Sequence, residues 1–351
     1  MQRNISIQLI RIIAMFMIIS DHILSHLNFP LRAVIVQLTN SGVLIFLFLS
    51  AFLYGNKQVK DWKAWYIKRF FRICIPMWIF MLFDFVIEAI AWHIFDVKYV
   101  FIYLFNLQGI LGTNIGGMNL WFLTLLMICY LITPLLQWIR SKNPGVKVAV
   151  ITFAFAIVIQ IILAYVTDIG MVFGHTLSWC VLAVGVYVIG YFAGNHICGQ
   201  KISMKRILLL SVAAILASLC VIFCRKYFDG KIIYDRIIIY YGMLVLDWWL
   251  VTVLYKIGTY IKNNKMLRVI KHLDTISYEF YIVHGLVIML VLFYLVRHGG
   301  AILYIAGSLG LSYVAAWGLH AICAVVYRIR ARRELIRDLS NRLLSEDILK
   351  Q

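Results

Sequence analysis

Apolar runs of about 20 residues recur along the whole chain, and each is long enough to cross a bilayer as an α-helix. Hydrophobic residues make up 63% of the 351 residues and charged residues only 14%, which excludes an ordinary soluble domain. The sequence therefore predicts an all-α integral membrane protein with about ten transmembrane helices. The predicted spans are 5–27, 34–54, 73–95, 118–139, 146–166, 172–194, 207–224, 236–257, 276–297 and 301–326.

Basic residues give the chain a net charge of +18 and are concentrated between the apolar runs. The excess follows the second, fourth, sixth, eighth and tenth spans, so the positive-inside rule predicts that both termini are cytoplasmic. We expect no nucleic-acid partner; the basic clusters instead meet anionic membrane lipids or an anionic cytosolic ligand. The loop after the seventh span breaks the pattern, either because it recognises an anionic glycan outside or because the count of spans slips there. Its basic residues are Arg225, Lys226, Lys231 and Arg236.

No predicted loop is long enough to hold a soluble domain. The sequence predicts a transmembrane domain over 1–326 and a basic amphipathic cytoplasmic tail over 327–351, which lies on the inner membrane surface. The seven cysteines contain no C-x-x-C pair, and we predict no metal site. If the protein is an enzyme, its chemistry lies among the helices.

The first span carries ionisable residues that are costly inside a bilayer and usually functional there. Arg11 and His22 are eleven positions apart, which puts them on one helical face roughly 16 Å apart along the axis. A histidine bonded to neighbouring backbone is the ordinary alternative, and the presence of Arg11 on the same face favours a functional role. Asp21 lies about 100° around the helix, where it either orients a ring nitrogen or faces the outer water.

A pair of arginines stands at the cytoplasmic start of the third span. Arg69 and Arg72 are three residues apart and share a face, and Lys68 adds a third cation. Guanidinium groups suit phosphate oxygens, although flanking cations of this kind also serve only to orient the span.

The ninth span begins with a polar stripe. Ser277, Tyr281 and His284 are spaced four and three residues apart and share a face, which predicts either a cavity wall or helix–helix hydrogen bonds. Asn119 and Trp121 lie at the start of the fourth span, where tryptophan is usually an interface anchor.

Other polar or small residues within the spans are weaker candidates. Asp84 and Glu88 are four residues apart and either pair with Arg11 or repel each other. We interpret Asp247 as a structural counter-ion. Gly42 is expected to allow close packing between helices.

Taken together, these features resemble the acyltransferase 3 family of integral membrane acyltransferases, in its stand-alone form. The resemblance covers most of the chain, and this sequence departs from the family pattern at Ala51, where glycine is commoner, and at Asp21, where an apolar residue is commoner. Five motifs occur in the family's order: R-x10-H at Arg11 and His22, a Gly-x3-Phe helix ending in Leu-Ser-Ala-Phe-Leu over 42–53, R-x-x-R-x-x-x-P over 69–76, Leu-Trp-Phe-Leu over 120–123, and Ile-Ser-Tyr-x-x-Tyr-x-x-His over 276–284.

The resemblance implies transfer of an acyl group, usually acetyl, from coenzyme A to a hydroxyl of a surface or lipid-linked glycan, with acetyl-CoA as donor and no metal. For this activity we predict a catalytic set of His22, Arg11 and Asp21, with His22 as the base, and direct transfer and a covalent acyl-His22 intermediate both fit. The residues expected to hold the donor are Arg69, Arg72, Lys68 and Arg11. The residues expected to form the oxyanion or acceptor site are Ser277, Tyr281, His284, Asn119 and Trp121.

Two other functions suit intramembrane charges. A transporter or flippase of a lipid-linked glycan or small anion is the main alternative, but it favours repeated or discontinuous helices, which the sequence lacks. A polysaccharide polymerase would carry a larger outer loop than 96–117. For an acyltransferase of this kind we expect a multi-pass location in a bacterial cytoplasmic membrane, with membrane lipids as neighbours and a homo-oligomer as a compatible assembly.

Overall fold

The structure is a computed structural model that describes residues 4–30, 32–55, 57–93, 95–111, 119–142, 145–166, 177–197, 202–294 and 300–348. Side chains are described in these ranges except at 33, 34, 37, 195–197 and 334–348. Every regular element within them is a helix, which confirms the predicted all-α fold. Helices satisfy their own backbone hydrogen bonds, as a chain buried in lipid requires.

Thirteen α-helices occur in the described ranges. The first seven are α1 (Ile5–Leu24), α2 (Arg32–Asn40), α3 (Gly42–Gly55), α4 (Trp62–Ala91), α5 (Val97–Leu104), α6 (Gln108–Leu111) and α7 (Trp121–Ser141). The others are α8 (Lys147–Val166), α9 (Leu177–Ile197), α10 (Met204–Phe228), α11 (Ile239–Tyr260), α12 (Asn264–Tyr294) and α13 (Ala301–Ile348). A π-helical turn, Tyr234–Ile238, leads directly into α11.

Ten helical stretches in the described residues are long and apolar enough to cross a membrane, as predicted. Two of these helices begin well before their predicted first residues. α4 starts at Trp62 instead of near 73, and α12 starts at Asn264 instead of near 276. The first turns of both helices are rich in charged residues, which lie beyond the apolar stretch and still favour helix. Asp61 caps α4 by accepting a hydrogen bond from the Ala64 backbone N–H at 2.9 Å.

The seventh and eighth predicted spans are two separate helical stretches, Met204–Phe228 and Tyr234–Tyr260, so the count of spans does not slip between them. α10 ends at Phe228, and the π-helical turn begins six residues later at Tyr234. Buried Gln160 of α8 donates from Nε2 to the Arg236 carbonyl within this turn at 2.7 Å. The glutamine thereby supplies a partner for a carbonyl in a turn whose hydrogen-bonding pattern departs from that of an α-helix.

The first helix lies at the centre of the packing, in contact with α2, α3, α11 and α12. Its approach to α3 depends on Gly42, because a Cβ there would lie 2.5 Å from the Ala14 carbonyl oxygen and 2.9 Å from Ile18 Cγ1. The predicted close packing at Gly42 is therefore confirmed. By contrast, α8, α10 and α13 expose many large apolar side chains, as helices that face lipid do.

The last helix runs unbroken from Ala301 to Ile348, past the predicted end of the tenth span at 326. The side chains of 334–348 and the whole of 349–351 lie outside the described residues. The amphipathic tail over 327–351, and its position on the inner membrane surface, therefore stay a prediction.

Candidate active site

The candidate site lies along the seam between α1 and α12. Contacts occur in the same order on both helices, so the two run side by side in the same direction. Three contacts define this register: Arg11 with Asp274, Phe16 with Phe280 and His22 with His284. The seam holds Arg11 and His22, the two residues that the sequence places on one face of α1.

The N-terminal end of the seam is an ion pair that the sequence analysis did not predict. Arg11 Nη1 lies 2.7 Å from Asp274 Oδ1, and Gln8 Nε2 donates to Asp274 Oδ2 at 2.9 Å. The Asp274 side chain is 0% exposed, so both of its oxygens need these partners. The ion pair fixes the position of Arg11 against α12.

The alternative that Arg11 pairs with an α4 carboxylate is wrong, because its partner is Asp274. Asp84 is fully buried, and neither of its carboxylate oxygens has a hydrogen-bond partner among the described residues. Asp274 lies two residues before the predicted start of the ninth span. A search for a counter-ion to Arg11 would have added Asp274 to the candidate carboxylates, since charges inside membranes are usually paired.

Two histidines meet at the C-terminal end of the seam. The ring centroids of His22 and His284 are 5.0 Å apart, with 48° between the ring planes. His284 is fully buried, and its Nδ1 lies 2.5 Å from the Tyr281 carbonyl oxygen. Because a carbonyl only accepts hydrogen bonds, we assign the His284 proton to Nδ1. In the neutral ring Nε2 then carries a lone pair, and it has no partner among the described residues.

A reciprocal clamp joins the start of α7 to this part of α12. Asn119 Nδ2 donates to the Tyr281 carbonyl at 3.0 Å, and the Tyr281 hydroxyl donates to the Asn119 backbone carbonyl. Asn119 Nδ2 also lies 3.5 Å from His284 Nδ1. The Asn119 amide rests against Gly285, where a Cβ would lie 2.4 Å from Oδ1. The clamp holds the backbone carbonyl that fixes the His284 ring.

The structure gives other contacts for two further predicted acceptor-site residues, Ser277 and Trp121. Ser277 donates from Oγ to the Asp274 carbonyl at 2.9 Å, within α12 and near the ion pair. Trp121 packs edge-on against Trp179 of α9, with ring centroids 5.5 Å apart. Their predicted roles at the acceptor site stay predictions.

Several buried polar atoms at the histidine end have no hydrogen-bond partner among the described residues. They are Asp21 Oδ1, Asn119 Oδ1 and His284 Nε2. Within the described residues no hydrogen bond joins Asp21 to the His22 ring, so its predicted orienting role stays a prediction. Unsatisfied buried polar atoms usually meet water or a ligand, and these three suit a molecule that carries hydroxyl groups.

The predicted donor site lies at the start of α4. The Arg69 guanidinium carbon is 4.9 Å from the centre of the Tyr54 ring and 5.9 Å from that of the Trp65 ring. Arg69 Nε is buried without a hydrogen-bond partner among the described residues, whereas Arg72 and Lys68 are exposed. The aromatic rings hold Arg69 in place, and the sequence analysis did not predict them.

A hydrogen bond connects this arginine cluster to the α1–α12 seam. The Tyr278 hydroxyl donates to the carbonyl of Ile73, the residue after Arg72, at 2.8 Å. Tyr278 lies one helical turn beyond Asp274 on α12. The α4 arginines and Arg11 are therefore attached to α12 about one turn apart, and the histidines lie further along the same helix.

Together these features define a multi-pass membrane protein with an intramembrane site that is cationic at one end and carries two histidines at the other. A model of the acyltransferase 3 family, described as an acyltransferase domain, matches residues 4–321. The chain belongs to this family, and it is a membrane acyltransferase. No curated protein and no solved structure matches the chain in the corresponding comparisons.

Proposed function

We propose that this acyltransferase moves an acyl group, most simply acetyl, from acyl-CoA to a hydroxyl of an extracytoplasmic glycan or lipid-linked sugar. The observation that carries the proposal is the α1–α12 seam, with Arg11 and Asp274 at one end and His22 beside His284 at the other. The α4 arginines, attached to α12 near this ion pair, suit the anionic donor, and His22 further along the seam offers a base for the acceptor. A bacterial cytoplasmic membrane, with acyl-CoA inside and glycan outside, suits this arrangement.

Acyl-CoA would bind from the cytoplasm with its phosphates at the start of α4. Arg72 and Lys68 are exposed there, and the buried Arg69 Nε still lacks a hydrogen-bond partner among the described residues. Charge-assisted hydrogen bonds from guanidinium groups to phosphate are among the strongest in proteins. The pantetheine arm then follows α12 past Arg11 towards the histidines.

His22 would act as the general base. It removes the proton of the acceptor hydroxyl as the oxygen attacks the thioester carbonyl, and a tetrahedral intermediate forms. The carbon–sulfur bond then breaks, and the coenzyme A thiolate takes the proton from the His22 imidazolium. The products are the acylated glycan and free coenzyme A. A positioned base of this kind contributes about 10²–10⁴-fold to the rate.

His284 would orient His22 rather than donate to the oxyanion. Its proton is assigned to Nδ1 and used by the Tyr281 carbonyl, so Nε2 is an acceptor. An N–H of His22 can donate to this Nε2 when substrate closes the site, and the second nitrogen of His22 is then free to act as a base. This leaves the Asn119 amide as the donor best suited to the oxyanion, since its Nδ2 carries two hydrogens.

The experiment compares His22→Ala with His26→Ala, which changes an exposed histidine one turn further along the chain. Each variant is expressed in a strain that lacks the native gene, and acyl groups on the purified surface glycan are counted by NMR. We expect His22→Ala to abolish acylation while the protein stays inserted and binds coenzyme A, and His26→Ala to retain it. If the His22→Ala variant acylates the glycan normally, His22 is not the general base. A wild-type protein that binds no coenzyme A would overturn the donor and favour a transporter.

A further inference from the structure

Three aromatic residues and an arginine form one face at the start of α4. Trp62, Trp65, Tyr66 and Arg69 follow the spacing i, i+3, i+4, i+7, which aligns them along the helix. The ring centroids of Trp62 lie 5.5 Å from Trp65 and 6.1 Å from Tyr66, and those of Trp65 and Tyr66 are 5.1 Å apart. We call these three residues the aromatic shelf. It leads directly to the arginine cluster.

Two other helices, α3 and α7, pack against the aromatic shelf. Tyr54 of α3 and Tyr130 of α7 both pack edge-on against Trp65, with ring centroids 5.1 Å and 5.5 Å away. The Tyr66 hydroxyl reaches the carbonyl of Leu131 at 3.2 Å. The shelf is therefore a fixed surface built on three helices, and its position relative to Arg69 is set by the same tyrosine that contacts the guanidinium.

Trp62 is the outermost member of the shelf and is half-buried. Its ring contacts among the described residues are with Trp65 and Tyr66, on its own helix. Trp138 of α7 provides a contrast, because it is 59% exposed and its one ring interaction among the described residues is with Lys142, at 5.7 Å. Gln137, the residue before it, forms two hydrogen bonds with the Val59 backbone, so both tryptophans lie at the same end of the bundle. Trp138 resembles a membrane-interface anchor, whereas Trp62 belongs to a built aromatic surface.

We propose that the aromatic shelf binds the adenine ring of the donor, with the purine stacked on Trp62. This inference rests on the proposed function, because it assumes that acyl-CoA is the donor. Every nucleobase offers a flat π-face, and stacking on an aromatic side chain is a common way to hold one. Trp62 and Arg69 are about 10 Å apart along the helix, a spacing that suits a base at one end and its phosphates at the other. Lys63 and Lys68 add positive charge beside the same stretch.

The stacking mode predicts which part of coenzyme A each residue recognises. Trp62 would contribute to binding of the nucleotide portion alone, and it would contribute nothing to pantetheine. Arg69 and Arg72 would contribute to any probe that carries the phosphates. The probes are therefore coenzyme A, adenosine 3′,5′-bisphosphate and pantetheine, each measured by competition against a fluorescent coenzyme A analogue on full-length protein in nanodiscs.

Trp62→Leu is compared with Trp62→Phe, which keeps an aromatic face, and with Trp138→Leu as the matched control. We expect Trp62→Leu to weaken binding of coenzyme A and of the bisphosphate by about tenfold or more, to leave pantetheine unchanged, and Trp62→Phe to recover most of the loss. Trp138→Leu should bind all three probes like the wild type. Thermal unfolding of each variant checks that the fold is intact.

Three outcomes would overturn the proposal. If Trp62→Leu binds coenzyme A with wild-type affinity, the aromatic shelf is not part of the donor site, and the proposed function is unaffected. If Trp138→Leu loses as much affinity for coenzyme A as Trp62→Leu, the loss comes from removing any tryptophan at the membrane interface and not from stacking on the shelf. A wild-type protein that binds no coenzyme A would overturn the donor itself, and this inference with it.

Discussion

The Arg11–Asp274 ion pair joins residues 263 positions apart, and its partners differ in their exposure. The Arg11 side chain is 27% exposed, whereas that of Asp274 is 0% exposed. Arg11→Ala would leave the Asp274 carboxylate fully buried without the cation that pairs with it, and removing one partner of a buried pair costs about 3–5 kcal/mol. Asp274→Asn keeps a polar partner for Gln8 and leaves a partly exposed cation, so we expect a loss of about 1–2 kcal/mol.

The assay is reversible unfolding in mixed micelles, followed by tryptophan fluorescence as the fraction of denaturing detergent rises. We expect Arg11→Ala to lower the free energy of unfolding more than Asp274→Asn. The double variant should be more stable than Arg11→Ala alone, because it no longer buries a charge. Lys68→Ala, which removes an exposed cation at the same end of the bundle, should change stability by less than about 0.5 kcal/mol. Equal losses for the two single variants, or strictly additive losses in the double variant, would refute this reasoning.

Two further predictions concern packing and the clamp. Gly42→Ala should cost about 1–3 kcal/mol of unfolding free energy in the same assay, because its Cβ would meet the Ala14 carbonyl oxygen at 2.5 Å. Gly310→Ala is its control, since apart from its chain neighbours and the nearby backbone of its own helix no described atom lies within 4 Å of the added Cβ; equal losses would contradict the packing account. Asn119→Ala should slow glycan acylation strongly while coenzyme A affinity, measured by competition, stays within about twofold, since Asn119 contacts the histidine end of the seam. A large loss of coenzyme A affinity would place Asn119 in the donor site instead.

Hydropathy predicted the ten spans because a helix in lipid needs an unbroken apolar stretch, and that requirement is local in sequence. The helical repeat likewise placed Arg11 and His22 on one face, as the α1–α12 seam confirms. The early starts of α4 and α12 were missed because a hydropathy window detects only the part of a helix that lies in lipid. The cap at Asp61 was a readable signal for the first of them.

The pairing between helices could not be read in the same way. Asp84, Glu88 and Asp274 were all available carboxylates, and only the arrangement of the helices decides which one meets Arg11. The same holds for the bond between Asn119 and Tyr281, since both residues were predicted to lie at the site but their shared backbone contacts depend on the approach of α7 to α12. Contacts of this kind are set by tertiary packing, which spacing along one helix does not encode.

The α1–α12 seam also bears on how the protein is made. Its first helix leaves the ribosome long before its twelfth, so Arg11 enters the membrane without the carboxylate that later neutralises it. The growing chain must hold this charge near water or a lipid headgroup until Asp274 has been synthesised. His22 meets His284 only at that late stage as well. A chain that ends before α12 thus lacks the histidine pair, so the proposed active site is complete only when nearly the whole bundle has been made.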